Sequence, residues 1–254
     1  MATFLRKMHE PVCRYDADVY NHLCTVIQAL PLAVLFWVFV EKGVYDEIGD
    51  AFVNRSHPFP FIEVAKMVIV ISSVCLIWHR YVVDSRFIAW RLSILDTLIP
   101  FGFAIAQSLL ALSVYGSTLL FAIWISVLAA LGVAAYWQLR SKFQGKHALA
   151  LYRNHFGEPQ GSKIYNDVDK YFADWRRNLF LYFVATLGAV LISLPWNCTA
   201  VIRINNIDFV IVAILAALII IHLFSDTLNT RLEPWFNTDE EQVVHTTSLD
   251  QAPS

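Results

Sequence analysis

The sequence predicts an all-α, polytopic transmembrane helix bundle: six spans, both termini cytoplasmic, and a cytosolic helical hairpin between spans four and five. Three observations carry that expectation. Of 254 residues, 57% are hydrophobic and only 16% are charged, against about 45–50% and ~25% in soluble domains; mean hydropathy is +0.52. Six stretches approach the roughly 20 apolar residues that a helix needs to cross a hydrocarbon core about 30 Å thick. They are 23–40, 58–78, 92–114, 117–137, 178–196 and 207–224. Finally, Lys and Arg fall unequally on the two sides that these spans create. Fifteen lie before span one, between spans two and three, between spans four and five, or in the tail; Lys42, Arg55 and Arg203 alone lie on the other side, and Lys66 lies inside a span. Removing any one span would put a basic segment on the wrong face.

The same figures exclude other classes. A formal charge of −2 supplies no field to attract a polyanion, so nucleic acid is not an expected partner. Nine Gly and nine Pro exclude collagen-like or linker-like sequence. Short alternating segments of about ten residues, the mark of an outer-membrane barrel, do not occur. Membrane lipid is the first partner implied, and a plasma membrane or bacterial inner membrane is the implied location.

The chain divides into 1–22, a cytosolic or interfacial segment; 23–138, spans one to four; 139–177, the hairpin; 178–225, spans five and six; and 226–254, a cytosolic tail. No signal peptide precedes span one, and 1–10 has the weak amphipathicity of a helix lying on the inner leaflet. The outer loop 41–57 is mildly acidic, with Glu41, Asp46, Glu47 and Asp50. In the hairpin, one helix is expected over 141–156, stopping at Gly157, where glycine suits the residue after a helix. A second is expected over 163–175. There Ile164, Val168, Tyr171, Phe172 and Trp175 form an apolar stripe at helical spacing, which needs a cover: the first hairpin helix, a second copy, lipid, or a cytosolic protein. Tyr171, Phe172 and Trp175 are its candidate partner-binding residues. The tail beyond about 239 is too polar to order itself.

Trp78, Tyr81, Tyr136, Trp137, Trp175 and Trp196 stand at span ends, where aromatic belts form. Cys13, Cys24, Cys75 and Cys198 show no CxxC spacing, so no zinc site or dithiol pair is indicated. Two N-x-S/T triplets, at 54–56 and 197–199, fall in expected outer loops. Ala122, Ser126, Ala130 and Ala134 in span four, and Ala185, Ala189 and Ser193 in span five, form small-residue stripes that let helices approach closely, within one subunit or between copies.

Ionisable groups inside a bilayer are costly and each asks for a reason. Glu63 and Lys66, three apart at the start of span two, share a helix face; the pair is an internal ion pair, the lip of a polar route, or a lysine snorkelling outward. In span three Asp96 precedes Pro100, which leaves the Asp96 carbonyl without its helical donor, and Gln107 follows; Arg91 or Arg86 are the expected partners of Asp96. Span one repeats the pattern with His22, Gln28 and Pro31. His22, His79, Asp96, His222 and Asp226 all fall near the inner leaflet and are expected to cluster if their helices are neighbours. Asp96, Gln107, Lys66, Glu63, Gln28 and His222 are therefore the candidates for a pore or ion pathway. No HExxH, GxSxG, phosphate loop or dinucleotide fingerprint occurs; neither a catalytic residue, a metal site nor a cofactor is expected.

Three functions fit these residues. The leading one is a non-enzymatic, homo-oligomeric subunit that conducts ions or solutes or controls membrane permeability. The second is a scaffold that recruits a cytosolic protein through helix 163–175. The third is a redox anchor holding haem between histidines.

Overall fold

A computed structural model describes residues 14–42, 60–87, 93–198 and 207–227. Among these residues the structure is entirely helical: α1 (Arg14–Glu41), α2 (Phe61–Asp84) running into a 3-10 turn (Ser85–Phe87), α3 (Ile94–Leu112), α4 (Thr118–Phe143), α5 (Lys146–Phe156), α6 (Gln160–Cys198) and α7 (Ile207–Thr227). Segment 1–10, loop 41–57 beyond Lys42, the triplet at 54–56, Cys13 and the tail lie outside the described residues, as do the side chains of Arg86, Ser193, Trp196, Cys198 and Asp226.

Local chemistry sets the helix ends. Ser93 and Asp96 form a capping box at the start of α3: the Ser93 amide donates to Asp96 Oδ2 at 2.6 Å, satisfying a donor that a helix start leaves open. Ser117 caps α4 by accepting from the Leu120 amide at 3.1 Å. Gly157 ends α5 with φ +81°, a conformation that glycine adopts without steric cost, and its amide donates to Arg153 O at 2.8 Å.

One expected boundary is absent. Helix 163–175 and span five are a single helix, α6, of 39 residues, about 58 Å long at 1.5 Å per residue. Asp174, Arg176 and Arg177 suggest a loop when met in sequence, but no Gly or Pro lies between Ser162 and Leu187. On the helix Trp175 and Leu179 turn inward, while Asp174 and Arg177 pair on the outer face at 3.9 Å. Likewise α4 continues through Phe143, so the first hairpin helix starts at Lys146 rather than Ser141.

The six long helices close into a ring. Following the contacts, the neighbours run α1, α2, α7, α6, α4, α3 and back to α1, with cross-contacts between α2 and α3 and between α4 and α7. The most extensive packing is α4 on α6. There a Cβ added at Gly132 would stand 3.3 Å from Leu179 Cδ1, so the small residue sets the approach. Ala122, Ser126 and Ala189 are buried within the chain, whereas Ala134 and Ala185 are exposed; the small-residue stripes thus serve packing inside one subunit along part of their length.

Two cores follow. One fills the ring, around Val70, Leu110, Phe121 and Leu215. The other, mostly aromatic, lies at the end of the bundle that carries α5. It joins Phe87, Phe143, Tyr152, Phe172 and Trp175. Phe143 stacks on Tyr165 with centroids 4.7 Å apart, and the Tyr165 hydroxyl donates to Phe143 O at 3.2 Å. Burial, then the nearby Asp169 carboxylate, pushes the Tyr165 phenol up, which keeps it a donor.

The ring's outer surface is apolar, with Phe36, Trp37, Leu98, Ile105, Leu181 and Ile221 exposed. Water does not tolerate so large an apolar belt; lipid does. Four helical segments, Asp18–Glu41, Phe61–Asp84, Ile94–Leu112 and Thr118–Phe143, are long and apolar enough to cross a membrane, and Asp208–His222 is a shorter apolar helix. The chain is a helical, multi-pass membrane protein. Trp78 and Trp137 face outward as belt residues should, but Tyr81, Tyr136 and Trp175 are buried; they are core residues rather than interfacial anchors.

Candidate functional site

Inside the ring, toward the α5 end, lies a cavity of about 110 Å³ to which all six long helices contribute. Its wall is apolar over most of its extent, with Ile77, Ile99, Phe103, Leu128 and Ile219. Arg80, Asp84, Asp96, Gln138 and His222 make one end polar.

Arg80 and Asp84 stand one turn apart on α2, so both side chains enter the ring. Each is less than a tenth exposed, and such charges survive burial only when their hydrogen-bonding capacity is met. Tyr171 of α6 supplies the link: Arg80 Nη1 donates to its hydroxyl at 2.7 Å, and that hydroxyl donates to Asp84 Oδ1 at 2.9 Å. Tyr136 of α4 donates to Asp84 Oδ2 at 2.5 Å. The Arg80 guanidinium lies 3.4 Å from the centroid of the Trp175 ring, a cation–π contact strengthened by burial. His222 of α7 meets the same indole edge-on, with centroids 5.2 Å apart. Three helices are thereby tied by one buried polar network, and α7 closes over it.

Asp96 anchors a second tie. Besides capping α3 it accepts from Lys142 Nζ at 2.5 Å and from Gln138 Nε2 at 2.9 Å. Its described partners come from α4, because α3 starts at Ile94 and places Asp96 in the first turn, beside the end of α4; Arg91 and the Arg86 side chain lie outside the described residues. The carboxylate is satisfied and structural, which removes it from the group of unoccupied pathway ligands.

Lys66 also departs from expectation. Instead of snorkelling outward it is 2% exposed. Nζ donates to Gly116 O at 3.1 Å, in the turn between α3 and α4, and stands 5.6 Å from the Phe121 ring centroid. Glu63 is half-buried in the first turn of α2. The lysine's hydrogen bond goes to a backbone carbonyl of the turn that follows α3, not to Glu63.

Gln28 and Gln107 are buried, and among the described residues neither amide oxygen nor amide nitrogen of either finds a hydrogen-bond partner. Gln107 stands one turn beyond Phe103, toward the end of the bundle away from α5, and Gln28 stands two turns beyond Tyr20; Phe103 and Tyr20 both line the cavity. Unmet buried amides cost about 1–3 kcal/mol each.

The expected five-membered inner cluster forms only in part. Asp96 and His222 line one cavity, but His22 and His79 are exposed, and the Asp226 side chain lies outside the described residues. Arg80, Asp84 and Tyr136 take the central place. Ending span two at Trp78 hides the first two; the signal that reveals them is an Arg and an Asp four apart continuing the helical register of that span. Among the described residues His222 is the one histidine in the cavity wall; a haem held between two histidines needs a second. Among the described residues no group of three or more His, Cys, Asp or Glu side chains is placed to hold a metal.

Tyr171, Phe172 and Trp175 are all buried against the chain's own helices. Phe172 meets Tyr136 and Phe143 of α4, and Tyr171 meets Phe87. The apolar stripe of 163–175 is covered from within, so these three residues do not present a docking face.

No protein-family model, curated protein or solved structure matches the chain. Fold and site therefore define a class only: a helical membrane protein whose ring of helices encloses a cavity with a polar end.

Proposed function

We propose that the chain spans the membrane six times, with both termini and α5 on the cytoplasmic face, and that it conducts small ions or solutes along the interior of the ring. The charge asymmetry of the loops supports this orientation, since Arg140, Lys142, Arg153, Lys163 and Lys170 all lie at the α5 end. One observation carries the conduction reading: the buried, unmet amides of Gln28 and Gln107, in line beyond the cavity. A polar group in a bilayer interior is retained where water or a permeant reaches it. Lys66 stands further along the same axis. Tight packing at Val70, Leu110 and Phe121 makes the present arrangement a closed one.

This reading places the route within each subunit. If copies associate, in the closed symmetry usual for homo-oligomers, the exposed Ala134 and Ala185 offer small-residue surfaces for that contact.

The test is release of K⁺, Cl⁻ and H⁺ and osmotic shrinkage in glycerol, measured on liposomes carrying the full chain. Wild type is expected to raise permeability to at least one of these above protein-free liposomes. Gln107→Leu, which removes the polar group at nearly equal volume, is expected to lower that permeability several-fold. Wild-type liposomes as tight as empty ones, or an unaffected Gln107→Leu, count against conduction through the ring.

A further inference from the structure

We infer that Arg176 and Trp137 form a binding site for the headgroup of an acidic phospholipid, on the outer surface of the ring where α4 and α6 leave the apolar belt. Position sets the kind of ligand. Phe180 and Val184, one and two turns along α6 from Arg176, are exposed, as is Trp137 on α4. In the other direction α6 carries Asp169 and Lys170 toward α5. The pair therefore stands at the border between hydrocarbon and water, the level at which lipid headgroups lie and at which Trp is favoured.

Charge sets the class of lipid. The other cations near this border are matched: Arg140 pairs with Asp169 at 3.1 Å, Arg177 with Asp174 at 3.9 Å and Lys142 with Asp96. Asp169, two turns before Arg176 on the same side of α6, is held through both oxygens by Arg140 and accepts from Gln144 as well. Among the described residues Arg176 has neither a carboxylate nor a hydrogen-bond acceptor. Its charge is unanswered. The phosphate of a zwitterionic lipid is offset by that lipid's own ammonium group, whereas an acidic lipid brings the net negative charge that Arg176 lacks.

Geometry makes the donors reachable. The Arg176 guanidinium lies 5.7 Å from the centroid of the Trp137 ring, so an aromatic face from α4 orients it. Its N–H groups point outward in the guanidinium plane, the fork that matches phosphate oxygens. Arg176 is only partly buried and none of its nitrogens is enclosed. Trp137 is 65% exposed, so a lipid in the belt meets the ring with its acyl chain and the guanidinium with its phosphate.

The inference rests on the proposal that α6 crosses the bilayer, and not on conduction. Its test reads both separately. The full chain is labelled with fluorotryptophan and placed in phosphatidylcholine nanodiscs, and the Trp137 fluorine line is assigned by its loss in Trp137→Phe. A trace of phosphatidylcholine or of phosphatidylglycerol, each with a nitroxide high on its acyl chain, is then added. Broadening of the Trp137 line reports occupancy. In wild type the acidic probe is expected to broaden it about fivefold more than the zwitterionic one, the worth of one interfacial cation. Arg176→Gln is expected to bring that ratio to about one. Lys170→Gln removes the same charge a third of a turn round α6 and is expected to keep it. Equal broadening by the two probes in wild type, a ratio that survives Arg176→Gln, or an equal loss in Lys170→Gln (a diffuse surface field) overturns the inference while leaving the span in place. A Trp137 line that neither probe broadens overturns the span and the site together.

Discussion

At the scale of single residues, the account turns on side chains whose burial is tolerated only because specific partners meet them. Tyr136→Phe removes the donor to Asp84 Oδ2 and leaves a buried carboxylate oxygen short of a bond; a loss of about 1.5–3 kcal/mol is expected, visible as a lowered thermal midpoint in detergent. Arg80→Met keeps the length of the side chain but strands Asp84 without its cation. Arg80 and Asp84 are joined through the Tyr171 hydroxyl, and removing one charge of a buried network leaves the other uncompensated, at a cost of about 3–5 kcal/mol, so this variant should be markedly less stable than Tyr136→Phe, and a smaller effect for Arg80→Met would contradict the network. Gly161 tests packing at the α5–α6 turn. A Cβ there would fall 2.5 Å from Tyr152 O, a backbone atom that cannot swing aside, so Gly161→Ala should cost about 1–3 kcal/mol.

At the scale of elements, the continuity of α6 is the feature with most consequence. Its first half packs on α5 and the end of α4, while its second half runs on into the ring, so a shift of the hairpin is a shift of the wall that holds Trp175. Asn178→Pro removes a helical hydrogen bond at the junction, at a cost of about 3 kcal/mol or more. Amide exchange of residues 174–177 should then accelerate while α4 stays protected; unchanged exchange would mean the two halves of α6 are already separate. Much of this was legible in the sequence: the six apolar stretches, the Gly157 stop and the stripe Ile164, Val168, Tyr171, Phe172, Trp175 all reflect local spacing. The junction was not, because Asp174, Arg176 and Arg177 have the composition of a loop and only their placement on the outer face of a helix reconciles them. Arg80 and Asp84 were lost for a similar reason: a hydropathy boundary at Trp78 cuts the helix before the charges that the ring encloses. The partners of Asp96 and Lys66 lie 46 and 50 residues away, and no pattern along one helix reveals which helices will be neighbours.

At the scale of the whole molecule, the ring needs α6 and α7 to enter the membrane beside the four helices that are long and apolar enough to cross it, since both line the cavity through Trp175, Leu179, Ile219 and His222. The direct measurement is side-selective thiol labelling of single-cysteine variants in which the four native cysteines are replaced: Asn205→Cys in the α6–α7 connection and Ser254→Cys at the end of the chain. The account predicts that Asn205→Cys reacts with an impermeant reagent added outside intact cells, while Ser254→Cys reacts only after the membrane is opened. Both positions reacting from the same side would mean that α7 does not cross, and the closed six-helix ring would have no place in the bilayer.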